Sequence, residues 1–155
     1  MFRRLFATPT RTRTTLVYWL YLMVLGHLLG GVLLTWVGST GGLDAYLHII
    51  ENAFWQTPAP PEAAAQQRWW FGLFGATLQS YAIGLLALTH IGHRQRSVAA
   101  WGWLLLGIVV WGPQDIWLSA TAGVWINVLL DILALCALVP PLLWLIRQDR
   151  RGVPS

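Results

Sequence analysis

Four apolar runs of ~20 residues each, almost free of charge, dominate this chain and restrict it to structures that can live in hydrocarbon. Each run is long enough to cross about 30 Å of bilayer core as a helix, the form in which a segment satisfies its own backbone N–H and C=O groups. The runs cover residues 15–37, 69–90, 99–120 and 124–146. They predict an all-α fold, a four-transmembrane-helix bundle forming a single integral membrane domain over residues 1–155. With 56% of residues apolar and 10% charged, the composition excludes a soluble domain of this size.

The ten basic residues are all arginines, and their placement sets a topology. Arg3, Arg4, Arg11, Arg13, Arg94, Arg96, Arg147, Arg150 and Arg151 fall on one side of the four runs, and Arg68 alone on the other. The positive-inside rule then predicts a multi-pass cell-membrane protein with both termini cytoplasmic. The absence of lysine fits a GC-rich bacterial genome, hence a bacterial cytoplasmic (inner) membrane. Because the arginines flank spans rather than cover one exposed face, the net charge of +4 reads as topology and not as a nucleic-acid partner. Residues 1–14 resemble the start of a signal peptide, but the run that follows is too long and lacks a small-residue cleavage site, so it reads as a retained span. The tail from Arg147 is expected to fray. Trp36, Trp69, Trp70, Trp101 and Trp144 stand near run ends, as interfacial anchors do. Cys136, the single cysteine, lies inside a run, where neither an intramolecular disulfide nor a cysteine metal site can form.

Between the first two runs lies a long outer loop with its own pattern. Leu43, Leu47, Ile50 and Phe54 recur at helical spacing while Asp44, His48 and Glu51 occupy the opposite arc. The segment, about residues 43–56, therefore reads as an amphipathic surface helix in the first extracytoplasmic loop, ended by Pro58, Pro60 and Pro61. The spacing of Asp44, His48 and Glu51 is compatible with a metal site, but three polar residues on one amphipathic arc are ordinarily its solvated face. They are taken as the rim of a pocket beneath.

Polar groups inside spans cost several kcal/mol each and persist where they turn inward to partners. Here they are His27, Gln79, Gln114, Asp115, Asn127 and Asp131, so every span contributes. Counted from the short turn after residue 120, Asp115 and Asp131 both lie roughly 10–14 Å below the outer surface by helical rise. His27 and Gln79 lie about 15 Å down from the same side. The small residues Gly26 and Gly30 beside His27, Gly72, Gly75 and Ala76 on the Gln79 side, and Ala134 below Asp131 mark helix contacts, which orients the polar set inward. Pro113, and Pro140 with Pro141, each free a carbonyl one turn earlier and bend their helix. The aspartate pair reads either as a shared-proton dyad or as interhelical glue, and His27 as ligand, proton donor or helix–helix partner. A haem is excluded by depth, since His90 and His93 lie about 18 Å or more along the normal from His27. There is no hydrolase triad, phosphate-binding glycine loop or HExxH motif, and no cofactor is expected.

The layout resembles the EXPERA group of four-span membrane proteins, which includes the emopamil-binding sterol isomerase and the sigma-two receptor. The likeness lies in the long structured outer loop, the Trp69, Trp70, Phe71 start of the second span, Gln79 ten residues into it, Asp115, and the Leu138-Val139-Pro140-Pro141 run before Arg147. That group carries a glutamate where Gln79 stands and an acid late in the first span, where this chain has Thr35 and Trp36; a glutamine exchanges no proton at neutral pH, so the resemblance implies binding rather than isomerase chemistry.

The sequence thus predicts a pocket opening to the outer leaflet for a lipid-like or amphipathic small molecule, with His27, Gln79, Gln114, Asp115, Asn127 and Asp131 meeting its polar part. Two other readings use the same residues. In one, the chain is a non-catalytic subunit or assembly factor, and its polar groups and tryptophan-rich faces meet a partner membrane protein or a second copy in a homo-oligomer. In the other, it is a small proton-coupled transporter.

Overall fold

The computed structural model describes residues 11–151, apart from the Ser39 side chain; Arg3 and Arg4 of the arginine asymmetry lie outside the described residues. Within that range the chain is helical, with no strand. α1 (Arg11–Val32) runs on through a π-helical turn (Leu33–Val37) and a 3-10 turn (Gly38–Thr40) to α2 (Asp44–Phe54), followed by α3 (Pro61–Gln95), α4 (Val98–Thr121) and α5 (Trp125–Arg150). Four helices, Arg11–Val37, Pro61–Gln95, Val98–Thr121 and Trp125–Arg150, are long and apolar enough to cross a membrane. Their outward faces carry large exposed apolar side chains such as Leu22, Leu29, Val109 and Leu133, a surface that hydrocarbon accommodates and water does not. The protein is a polytopic membrane protein built as a four-helix bundle.

Two boundaries differ from the sequence reading. α3 starts eight residues early, because Pro61 occupies the first helical turn, where its missing N–H costs nothing, and Ala63, Ala64 and Ala65 favour helix. Its 35 residues reach about 52 Å, longer than the about 30 Å of a bilayer core, and Arg68 lies near its start. α5 does not fray after Ile146 but continues to Arg150, since Asp149 is buried. The turn between α4 and α5 is closed by Gly123 N–H on Ala120 O (3.1 Å) and Val124 N–H on Ser119 O (2.8 Å), with Gly123 at φ 76, the paired bonds of a Schellman motif. Between α3 and α4, Ser97 caps α4 by accepting from the Ala100 N–H at 3.2 Å.

α1 packs along α3 and α5 along α4, and the two pairs join mainly where α3 meets α4. The first pair closes on glycine. A Cβ on Gly75 would stand 2.5 Å from Thr35 Oγ1 and 2.6 Å from Gly31 O, and one on Gly31 would stand 2.7 Å from Gly75 O. Around this contact Thr35 Oγ1 donates to Gly31 O at 2.9 Å and lies 3.3 Å from Gly72 O, while Gln79 Nε2 donates to Thr35 Oγ1 at 3.0 Å. The expected Gly26 and Gly30 contact is one position out of phase. Nothing lies within 4 Å of a Cβ on Gly26, and only Leu78, at 3.9 Å, meets one on Gly30.

The dense core fills the arginine end: Val17 and Leu20 of α1, Trp101, Leu104 and Ile108 of α4, and Leu138, Leu142, Leu145 and Ile146 of α5. Below it sits a buried ion pair that draws on all four spans. Arg13 Nε and Nη2 donate to the two oxygens of Asp149 at 3.0 and 2.9 Å, and Trp101 Nε1 donates to Asp149 Oδ2 at 2.9 Å. From α3, the carbonyls of Gly92 and His93 lie 3.4 Å from Arg13 Nη2, and His93 Nδ1 lies 3.4 Å from Nη1. Arg13 is 3% exposed, Asp149 1% and Trp101 0%, so Trp101 is a core residue and not an interfacial anchor. The indole fits because residue 92 is glycine: a Cβ there would stand 2.7 Å from its ring. Higher in the bundle, Trp19 Nε1 of α1 donates at 2.8 Å to Ala137 O of α5, the carbonyl that Pro141 leaves without its helical partner.

Replacing Asp149 by asparagine leaves the Arg13 guanidinium buried without its counter-charge, and is expected to cost about 3–5 kcal/mol, read as a large loss of thermal stability in detergent. Gly75→Ala is expected to lose about 1–3 kcal/mol by forcing α1 and α3 apart, whereas Gly26→Ala is neutral or slightly stabilising. Equal behaviour of the two alanine variants in the same melting assay refutes the contact.

Candidate functional site: a polar chamber joined to an apolar one

The bundle is hollow from its loop end down into the core, where Leu20, Leu104 and Leu142 meet open space. Two adjoining cavities lie there. One, about 530 Å³, is lined by Tyr46 of α2, by Trp70 and Phe71 of α3, and by Asp115, Asn127 and Asp131 of α4 and α5, among others. The second, about 270 Å³, lies toward the core among Leu20, Val24, Tyr81, Leu104, Ile108 and Leu138, and is almost wholly apolar. His27, Phe74, Leu78 and Trp111 line both, so they form the junction. Trp70, Phe74 and Leu130 line the polar chamber and are half-exposed or more, so the chamber is open on that side of the bundle.

Each polar side chain is set by its helix. Asp115 accepts from Trp111 Nε1 at 3.0 Å, one turn before it, and from Ser119 Oγ at 3.3 Å, one turn after it, so both oxygens are engaged by its own helix. Asp131 is 7% exposed, and its Oδ2 is the one buried side-chain polar atom among the described residues with no hydrogen-bond partner. His27 Nδ1 lies 2.7 Å from Met23 O; a carbonyl only accepts, so this nitrogen carries the proton, and the ring stands 6.4 Å from Tyr81. Asn127 Oδ1 accepts from the Tyr46 hydroxyl at 2.6 Å, which ties α2 to α5 across the mouth of the chamber. The Tyr46 ring meets Phe71 edge-on at 6.0 Å. Burial, reinforced by the Asp115 and Asp131 carboxylates, pushes the Tyr46 phenol above its ordinary value, which keeps it a donor.

Of the residues the sequence singled out, His27, Asp115, Asn127 and Asp131 gather around the polar chamber. Gln79 instead belongs to the α1–α3 contact described above. Gln114 points out of the bundle, its amide turned back onto Val110 O of its own helix, because it stands about 100° around α4 from Asp115. Asp44 pairs with Arg68 at 3.3 Å and His48 with Glu51 at 2.8 Å, so these three hold α2 to the projecting end of α3 and to itself, and none of them lines either chamber. No three His, Cys, Asp or Glu side chains are gathered to hold a metal ion among the described residues.

Sequence reasoning passed over Tyr46, although its position three residues after Leu43 places it on the inward arc of α2 beside the buried Leu47. It took Trp70 as an interfacial anchor and passed over Phe74 and Trp111, which nothing in the pattern marks as chamber walls.

Tyr46→Phe keeps the ring against Phe71 but removes the donor to Asn127. It is expected to cost about 0.5–1.5 kcal/mol and to speed protease cleavage within residues 38–60, with the four spans intact. An unchanged cleavage rate refutes the clasp. No protein-family model, curated protein or solved structure matches this chain.

Proposed function

We propose that this protein binds a lipid-like or amphipathic small molecule across the two chambers, its polar part among Asp115, Asn127, Asp131 and Tyr46 and its apolar part in the chamber beneath. The observation that carries this reading is the joining of a polar, acid-lined cavity to an apolar one through His27, Phe74, Leu78 and Trp111, with a lateral opening past Trp70 and Phe74. Such a profile suits a molecule that is itself polar at one end and reaches the site from the bilayer. The arginine asymmetry supports placing the polar chamber in the extracytoplasmic half of a bacterial cytoplasmic membrane, with both termini cytoplasmic. The EXPERA-like layout belongs to the same proposal, as binding without isomerase chemistry, since Gln79 is engaged between helices.

A second reading, a subunit of a larger membrane assembly, draws on Gln114, an amide held on the membrane-facing side of α4, where a partner helix would give it better company than hydrocarbon.

Gly107 lines the apolar chamber, and a Cβ built on it meets only the Tyr81 hydroxyl at 3.6 Å, so a larger side chain grows into the void. Gly107→Leu is expected to fold with unchanged or higher thermal stability. It should lose the amphiphile seen by mass spectrometry after purification in mild detergent, and bind added amphiphile about tenfold or more weakly. Retention of full binding by a folded Gly107→Leu protein rejects the two-chamber site.

A further inference from the structure

We infer that the arginine end carries a binding site for the phosphate of an anionic phospholipid, formed on the exposed side of the α1–α3 pair by Tyr21, His90 and Arg94. The site lies at the opposite end of the bundle from the polar chamber and does not depend on it.

The distribution of charge comes first. Of the six acids, Asp44, Glu51, Glu62, Asp115 and Asp131 stand in the loop half, and Asp149 alone stands among the arginines. Asp149 is buried, with both oxygens engaged by Arg13 and Trp101. Arg11, Arg94, Arg147, Arg150 and Arg151 are exposed at the same end. The chain offers these guanidinium groups no exposed acid there, so their counter-charge comes from outside it.

Arginines at span ends ordinarily report topology alone. Arg94 differs, because two further hydrogen-bonding side chains stand with it. His90 is one turn before it on the same face of α3, and the Tyr21 hydroxyl of α1 lies 3.5 Å from His90 Nδ1. The Arg94 charge is close enough to act on that hydroxyl. At 3.5 Å the contact between Tyr21 and His90 is too long for a strong bond, so hydroxyl and imidazole are open to a better partner. The Tyr21 ring stands edge-on to His93 at 6.4 Å, and His93 Nδ1 lies 3.4 Å from Arg13 Nη1, which ties the site to the buried ion pair. A hydroxyl, an imidazole and a guanidinium, with no carboxylate among them, suit the oxygens of a phosphate.

The surroundings decide which phosphate. Exposed apolar side chains continue from the site at helical spacing, Leu25 after Tyr21 on α1, and Leu86 and Ile83 before His90 on α3. Acyl chains lie along such a strip with the phosphate at its end, whereas a free phosphate ion makes no use of it. Tyr18, 67% exposed one turn before Tyr21, adds an aromatic ring of the kind that sits at headgroup level. A zwitterionic head brings a second cation toward arginines that no acid balances, so the site prefers a head of net negative charge.

The test uses the full chain in mild non-ionic detergent, with phosphatidylglycerol and phosphatidylcholine of identical acyl chains, and inorganic phosphate, as probes. Native mass spectrometry counts bound lipid, and thermal shift reads saturation. Phosphatidylglycerol is expected to bind about tenfold or more tightly than phosphatidylcholine, and inorganic phosphate to give no shift at matched concentration. Arg94→Gln is expected to weaken phosphatidylglycerol about fivefold or more, and Tyr21→Phe, which keeps the ring on His93, about threefold or more. Arg147→Gln removes the same charge from the same end, but about 160° around α5 from the buried Asp149, and is expected to leave binding within about twofold. Should Arg94→Gln fail to fold, Tyr21→Phe read against Arg147→Gln carries the test. Losses from Arg94→Gln or Tyr21→Phe no larger than that from Arg147→Gln show diffuse charge and overturn the inference. Equal affinity for the two lipids, or inorganic phosphate binding as tightly as phosphatidylglycerol, overturns it as well.

Discussion

The bundle is organised around a charge that hydrocarbon does not tolerate alone. Arg13 and Asp149 are almost completely buried at the arginine end, and their pairing recruits Trp101 from α4 and the Gly92 and His93 carbonyls from α3. Removing two charges from water costs several kcal/mol apiece, which such a pair recovers only when its geometry is good and its remaining valences are filled. The guanidinium meets the carboxylate through two nitrogens, and a third donor, Trp101 Nε1, engages Asp149 Oδ2, so both oxygens are bonded. The arrangement requires all four spans in one register at that end. Neither dispersion nor the hydrophobic effect enforces register among lipid-like side chains so sharply, because lipid tails are as apolar as leucine.

From that fixed end the packing loosens upward. Leucine and valine fill the lower half. The apolar chamber reaches down among Leu104, Leu142 and Thr89, the polar chamber lies above it, and α2 lies against the polar one through Tyr46. Polar clamps at each level hold the pairs: Trp19 on the carbonyl freed by Pro141, then Gln79 and Thr35 where α1 and α3 touch. A proline that looks like a helix defect in the sequence thereby becomes an acceptor for a neighbouring helix.

Much of this was legible in the sequence, and the misses share a physical cause. The number and approximate place of the four long helices follow from hydropathy, which depends on no neighbour. The common level of Asp115 and Asp131 was legible too, since a tight turn and helical rise fix it. Rotation about the helix axis is another matter. One residue of phase separates Gly30, which touches little, from Gly31, which touches Gly75, and Gln114, which faces outward, from Asp115, which lines the chamber. Hydropathy along an apolar helix carries almost no phase information, because its lipid face and its packed face are both apolar. The Arg13–Asp149 pair was missed for a different reason: arginines at span ends ordinarily report topology, and an acid in a terminal tail ordinarily reports nothing. A phase signal did exist, since Leu138, Leu142, Leu145 and Asp149 recur at four, three and four residues and continue one buried face of α5.

Extended upward, that face also passes through Leu135 to Asp131, so a single stripe of α5 ends in an aspartate at each extremity, about 27 Å apart by helical rise. The two acids share helix, face and burial and differ in one respect. Asp149 accepts from Arg13 and Trp101 through both of its oxygens and is 1% exposed, so its partners come from the bundle itself. Asp131 stands beside a cavity with an oxygen that no described residue reaches. Burial therefore does not separate structural acids from recognition acids in this bundle, because both are buried alike. Saturation does: an acid whose partners are complete belongs to the scaffold, and an acid left incomplete against open space assigns that space to something the chain does not itself provide.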